Sequence, residues 1–70
     1  MNLIKGKQKK EYTISSVEAE GEMKDFLFSL GCYEGECISI ISKLGSNLVI
    51  NIKNERYAID EKLAKAIIVE

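Results

Sequence analysis

Apolar and polar positions keep two different rhythms along this chain. From residue 11 to 17 they alternate, with Tyr12 and Ile14 on one face and Thr13 and Val17 on the other, which predicts a first strand whose inward face carries Tyr12 and Ile14. After the polar stretch Glu18, Ala19, Glu20 and Gly21 the period lengthens. Met23, Phe26, Leu27 and Leu30 stand at i, i+3, i+4 and i+7, which predicts a helix over about 22–30 with these four residues as its buried stripe. Gly31 falls where a left-handed C-terminal cap is needed, and Gly35 supplies a second turn before the next strand.

Alternation then returns. Ile38 and Ile40 share one face of a strand over 37–43, against Cys37, Ser39 and Ile41 on the other. Gly45, Ser46 and Asn47 tolerate turn geometry, so the following strand of Leu48, Ile50 and Ile52 should form a hairpin with it, with Val49, Asn51 and Lys53 facing away. Asn54 and Glu55 suit the next turn, leading to a short strand over 56–59. Asp60 is placed to cap a helical turn over 61–64, and residues 66–69 form a last strand. The pattern describes one mainly β domain over residues 1–70: about five short strands in a strongly bent sheet or barrel, one α-helix between the first two, and a helical turn before the last.

Charge adds little to the global picture and more to the local one. Ten Lys and Arg residues against eleven Asp and Glu give a formal charge of −1, which disfavours a surface built to neutralise nucleic-acid phosphates. Lys5, Lys7, Lys9 and Lys10 make the segment 1–10 basic; it reads either as a solvated segment that guards a strand edge or as a docking patch for an acidic partner. Phe28 lies beside the helical stripe and either widens the core face or stays partly exposed for a partner. The longest aliphatic run, residues 66–69, is far too short to span a bilayer, and a cytoplasmic location is the expectation.

Candidate chemistry is sparse. The chain has no histidine, which removes the commonest general base and the favoured nitrogen ligand for transition metals. Asp60, Glu61, Glu34 and Glu36 fall at turns or a strand start, where solvation leaves carboxylates ordinary, and neither Gly31 nor Gly35 opens a helix as a phosphate loop requires. An enzyme is therefore not expected. Cys32 and Cys37 are spaced C-x4-C, unlike a zinc knuckle or a redox pair, and are read as ordinary buried or half-buried thiols. The metal candidates are Cys32, Glu34 and Cys37, soft and hard donors in one corner. Tyr12, Tyr33 and Tyr57 are too scattered for a single-strand nucleic-acid face.

Several positions, taken in order, carry a resemblance to a known family. Leu3, Ile14 with Val17, Leu27-x-x-Leu30-Gly31 with Gly35, Ala58-Ile59, and Ala64-x-x-Ile67-x-Val69 follow the FeoA pattern, that of the small cytosolic component of bacterial ferrous iron transport, whose domain also resembles the C-terminal domain of iron-dependent repressors. The chain departs from that pattern at Lys9, where the family commonly has Gly, at Phe26, where Arg precedes the helix Leu, and at Leu44-Gly45-Ser46-Asn47, where a Pro-x-Gly-x-Pro-like segment is usual.

The resemblance implies an SH3-like β-barrel with a helical insertion and no catalysis or resident cofactor of its own. Its implied partner is the cytoplasmic GTP-binding domain of a membrane ferrous iron permease. The expected contact residues are Phe28, Tyr33, Glu34, Leu44 and Asn47, displayed on a corner whose Gly31 and Gly35 are structural. The alternatives are a metal-sensing or metal-carrying domain using Cys32, Cys37 and nearby carboxylates for ferrous iron or another transition metal, and, ranked last, a small nucleic-acid-binding barrel. A second copy pairing through strand edges is a further possible partner.

Overall fold

The structure, a computed structural model, describes all residues 1–70. Its strands are β1 (Glu11–Val17), β2 (Cys37–Leu44), β3 (Asn47–Ile52), β4 (Glu55–Ile59) and β5 (Ile67–Val69), antiparallel throughout and ordered β4-β3-β2-β1-β5. Two two-residue turns make the β2–β3–β4 meander. Leu44 pairs with Asn47 across Gly45 and Ser46, and only the glycine is left-handed, with φ 63°. Ile52 pairs with Glu55 across Lys53 and Asn54, whose φ values of 52° and 66° are what a type I′ turn demands of both central residues. This turn lies one residue earlier than the sequence pattern predicts. Lys53 accepts a left-handed backbone because that turn matches the twist of the strands it joins.

β1 serves two partners. Its residues Glu11 to Thr13 pair with β2 and Ile14 to Val17 with β5, and the register shifts between Ile14 and Ser16, where the Ser15 hydroxyl donates to the Ile68 carbonyl at 3.2 Å. This bulge turns Val17 back to pack against the core instead of leaving it opposite Tyr12 and Ile14. The predicted alternation is otherwise observed: Tyr12, Ile14, Ile38, Ile40, Leu48, Ile50 and Ile52 are all buried, and no polar or charged residue is.

The helix α1 (Gly21–Leu30) buries less than its spacing promised. Leu27 is fully buried and Met23 and Leu30 pack beside it, but Phe26 is 47% exposed. Phe26 points roughly 60–70° away from the line of the other three, more than a ten-residue helix can bury against so small a sheet. The second helix, α2 (Glu61–Ala66), runs two residues further than expected, so β5 begins at Ile67. Asp60 caps it by accepting the Leu63 N–H at 2.9 Å, an i,i+4 pair joins Lys65 to Glu61 at 3.1 Å, and Ala64 and Ala66 are buried.

The N-terminal segment is not merely solvated. Its lysine side chains are exposed, but Leu3 is fully buried within a 3-10 turn (Leu3–Lys5), Asn2 bridges to Ile68, and the Lys7 N–H donates to the Tyr12 hydroxyl at 2.8 Å. Gly6 has no room for more, since a Cβ there would lie 2.7 Å from Ile40 Cδ1 and 3.1 Å from the Leu3 carbonyl oxygen. The segment is thus part of the core wall as well as a cover at the β5 edge.

Lys9 holds φ 64° while its N–H donates to the Ile40 carbonyl. A left-handed non-glycine residue costs about 1–2 kcal/mol, of which the extra unfolded freedom of glycine offsets about half. Lys9→Gly is therefore expected to raise stability by about 0.5–1 kcal/mol, read as a higher urea midpoint at unchanged slope. A lowered midpoint would show the backbone there to be unstrained.

Candidate functional site

Helix α1 ends in a closed motif. The Gly31 N–H donates to the Phe28 carbonyl at 3.0 Å and the Cys32 N–H to the Leu27 carbonyl at 3.1 Å, a Schellman pair that requires the left-handed φ of 101° at Gly31. A Cβ on Gly31 would also sit 3.2 Å from Ile52 Cγ2. The closure drives Cys32 into the core beside Leu27 and turns the chain outward at Tyr33 and Glu34. Gly35, with φ 88°, turns it back, and the corner is tied to β1 by the Gly35 N–H to the Ile14 carbonyl (2.7 Å) and the Ile14 N–H to the Glu36 carbonyl (2.9 Å). Backbone rigidity on both sides fixes what the corner displays.

What it displays is a row of aromatic rings and ammonium groups. The Phe28 and Tyr33 rings lie 5.6 Å apart at 57°, tilted against each other, and both stay more than a third exposed. Lys24 Nζ stands 5.5 Å over the Phe28 ring, and Lys53 Nζ stands 5.0 Å over the Tyr33 ring while pairing with the Glu36 carboxylate at 3.5 Å. Beside this row opens a groove of about 200 Å³. Ser29, Leu30 and Gly31 from the helix end form one wall with Tyr33, and Ile52, Lys53, Glu55 and Tyr57 from the β3–β4 hairpin form the other. The Tyr57 hydroxyl donates to Glu55 Oε2 at 2.8 Å, and this bond to the carboxylate holds the phenol above its ordinary range.

The sequence candidates divide. Phe28 and Tyr33 are brought together, and Glu34 is exposed at the tip of the same corner. Leu44, 65% exposed, and Asn47 close the β2–β3 hairpin and do not line the groove. Lys53, Glu55 and Tyr57 do line it, and sequence reasoning missed them. The available signal was the i,i+2 spacing of Glu55 and Tyr57, which puts both on one face of a strand once the turn is placed at Lys53 and Asn54.

The three metal candidates are not assembled. Cys32 is fully buried, Cys37 is exposed, and no three His, Cys, Asp or Glu side chains converge where they could hold an ion. Cys37 also departs from the expectation of a buried or half-buried thiol, because strand alternation turns Ile38 inward and Cys37 out. Burial pushes the Cys32 thiol up to about 11, so it is an inert neutral group at ordinary pH. No helix is long and apolar enough to cross a membrane.

The FeoA domain model matches residues 1–70. The chain belongs to the FeoA family. Among solved structures, iron(II) transport protein A from Clostridium thermocellum superposes on this FeoA chain with a TM-score of 0.94 at 28% identity, over all of this chain and 44% of that one. FeoA of Stenotrophomonas maltophilia, solved with zinc and described as a prokaryotic SH3 domain protein proposed to act as a ferrous iron transport activating factor, gives 0.91 at 24% identity over 100% and 89% of the two chains. A manganese-dependent transcriptional repressor shares the fold alone, at 0.86 and 14% identity over 96% of this chain and 39% of that one. No curated protein matches the sequence. The FeoA domain here is accordingly a mainly β, SH3-like domain with two helices, as the strand pattern and the resemblance implied.

Proposed function

We propose that this protein is a non-catalytic accessory factor of ferrous iron uptake that binds the cytoplasmic GTP-binding domain of an iron permease through the corner between α1 and β2. The observation that carries this reading is the tilted, exposed Phe28–Tyr33 pair beside an open groove, held on a backbone that the Schellman closure and the bonds to Ile14 make rigid. Exposed aromatic anchors on a preordered surface carry much of the affinity in protein interfaces, because little conformational freedom is lost when they are covered. Membership of the FeoA family supplies the transport context, and a GTP-binding domain supplies a partner of sufficient size.

Titration calorimetry of the purified protein against the soluble GTP-binding domain, in each nucleotide state, tests it. Tyr33→Ala is expected to weaken binding by tenfold or more, in line with the roughly 2 kcal/mol typical of a central aromatic anchor. Lys7→Ala, in the basic N-terminal segment, should change it less than twofold. Absence of binding in every nucleotide state would end the proposal, and a larger effect from Lys7 would move the contact to the basic N-terminal segment.

A further inference from the structure

Lys53 shows what kind of group the groove accepts. Its ammonium lies over the face of Tyr33 at 5.0 Å and within 3.5 Å of the Glu36 carboxylate, so a cation-binding arrangement of ring and carboxylate is already filled from within the chain. The occupant is held loosely. Its side chain is 55% exposed, so its pair with Glu36 is screened by solvent. At the other wall Glu55 has the Tyr57 hydroxyl as partner but no cation, since the only ion pairs in the molecule are Lys53 with Glu36 and Lys65 with Glu61.

We propose that the groove between Tyr33 and Tyr57 receives an arginine side chain of the partner, and that Lys53 occupies part of that place until the partner arrives. The proposal deepens the reading of the corner as a contact face and rests on it. Charge complementarity selects the cation: Glu55 lines the groove without an ammonium partner, and moving Lys53 off the Tyr33 ring would also free Glu36, the carboxylate Lys53 pairs with beside the groove. Shape selects arginine over lysine: a planar guanidinium stacks on a tyrosine face and meets a carboxylate with two parallel hydrogen bonds, whereas an ammonium is a point charge. Size selects a side chain over a small-molecule ligand, since about 200 Å³ falls below the roughly 300–1,000 Å³ usual for such ligands.

The probe is a short peptide with one arginine between uncharged residues, compared with the same peptide carrying neutral citrulline, followed by NMR on the full chain. The arginine peptide is expected to shift the signals of Tyr33, Tyr57 and Lys53 saturably, and the citrulline peptide to leave them in place. Lys53→Gln should tighten arginine binding about fivefold by removing the competitor. Lys53→Gly, which also relieves the left-handed backbone, should do the same, so the result does not depend on one variant folding well. Glu55→Gln should weaken binding severalfold. Equal binding of the two peptides, no shift at any peptide concentration, or unchanged affinity in both Lys53 variants would overturn the proposal. Calorimetry with the GTP-binding domain separates the two readings. Binding of the domain that neither Lys53→Gln nor Glu55→Gln alters overturns the arginine site and leaves the partner in place, whereas arginine binding without domain binding supports the site and removes the partner.

Discussion

Leu27→Ala is expected to destabilise the protein by about 3–4 kcal/mol, while Phe26→Ala one position away costs less than about 0.5 kcal/mol. Leu27 is the one residue of α1 with no exposed surface, and it packs where the helix end closes over Cys32. Truncation there leaves a void between helix and sheet that a helix pinned at its C-terminal closure cannot collapse to fill. For a domain of this size the loss corresponds to a fall of roughly 15–25 °C in Tm, a large part of the stability so small a core provides. Phe26, nearly half exposed, leaves no comparable void. Urea unfolding of the two variants reads the difference directly, and equal costs would restore the four-residue stripe that the sequence spacing suggested.

Stability should also fall steeply in alkali. The Cys32 thiol ionises near its ordinary 9.0 in the unfolded chain and at about 11 in the folded one, because burial penalises the thiolate. Between those values the unfolded state releases a proton that the native state keeps, so the stability, fully present below pH 9, declines as pH rises towards 11. Two pH units at about 1.4 kcal/mol each give a loss of about 2–3 kcal/mol. Tyr57, also raised, acts in the same direction above its ordinary 10.0. Denaturant midpoints across pH 8–11 measure the slope. Cys32→Ala should flatten most of it, whatever it costs at neutral pH, and Cys37→Ala, at an exposed position, should leave the slope as it was. A slope that survives Cys32→Ala would assign the alkaline loss to other groups.

Much of this architecture is written in local patterns, and its exceptions have local causes. The two-residue period fixed the inward faces of β2 and β3 because one side of each is sealed by the core, and the glycine after Leu30 marked the helix end because only a residue without Cβ closes it cheaply. Of the features that escaped, three show the causes. Phe26 satisfies a helical spacing, but spacing does not state how wide a strip the sheet can cover. The bulge at Ser15 depends on β1 having two partners, a long-range circumstance that no window of sequence contains. The turn at Lys53 and Asn54 was masked because lysine is a poor advertisement for a left-handed backbone, and with it went Glu55 and Tyr57, whose shared face appears only once the register is known. Half of the groove was hidden for that single reason. Tyr33 and Phe28 were legible because the closure that displays them is written in neighbouring residues.

The divided strand β1 has a consequence for the order in which the molecule assembles. The β2–β3–β4 meander is made of neighbours joined by two-residue turns, and such hairpins close within microseconds. β1 can join β2 only after the α1 segment has been looped out, and it can meet β5 only by bringing residue 17 to residue 67. Contacts of that span come late and slowly, since the entropy of closing the loop is lost before the pairing offsets it. Ser15, where the strand changes partners, therefore sits at the seam between an early half and a late half of the fold. Substitutions on the β5 side of that seam should speed unfolding and leave the folding rate almost untouched.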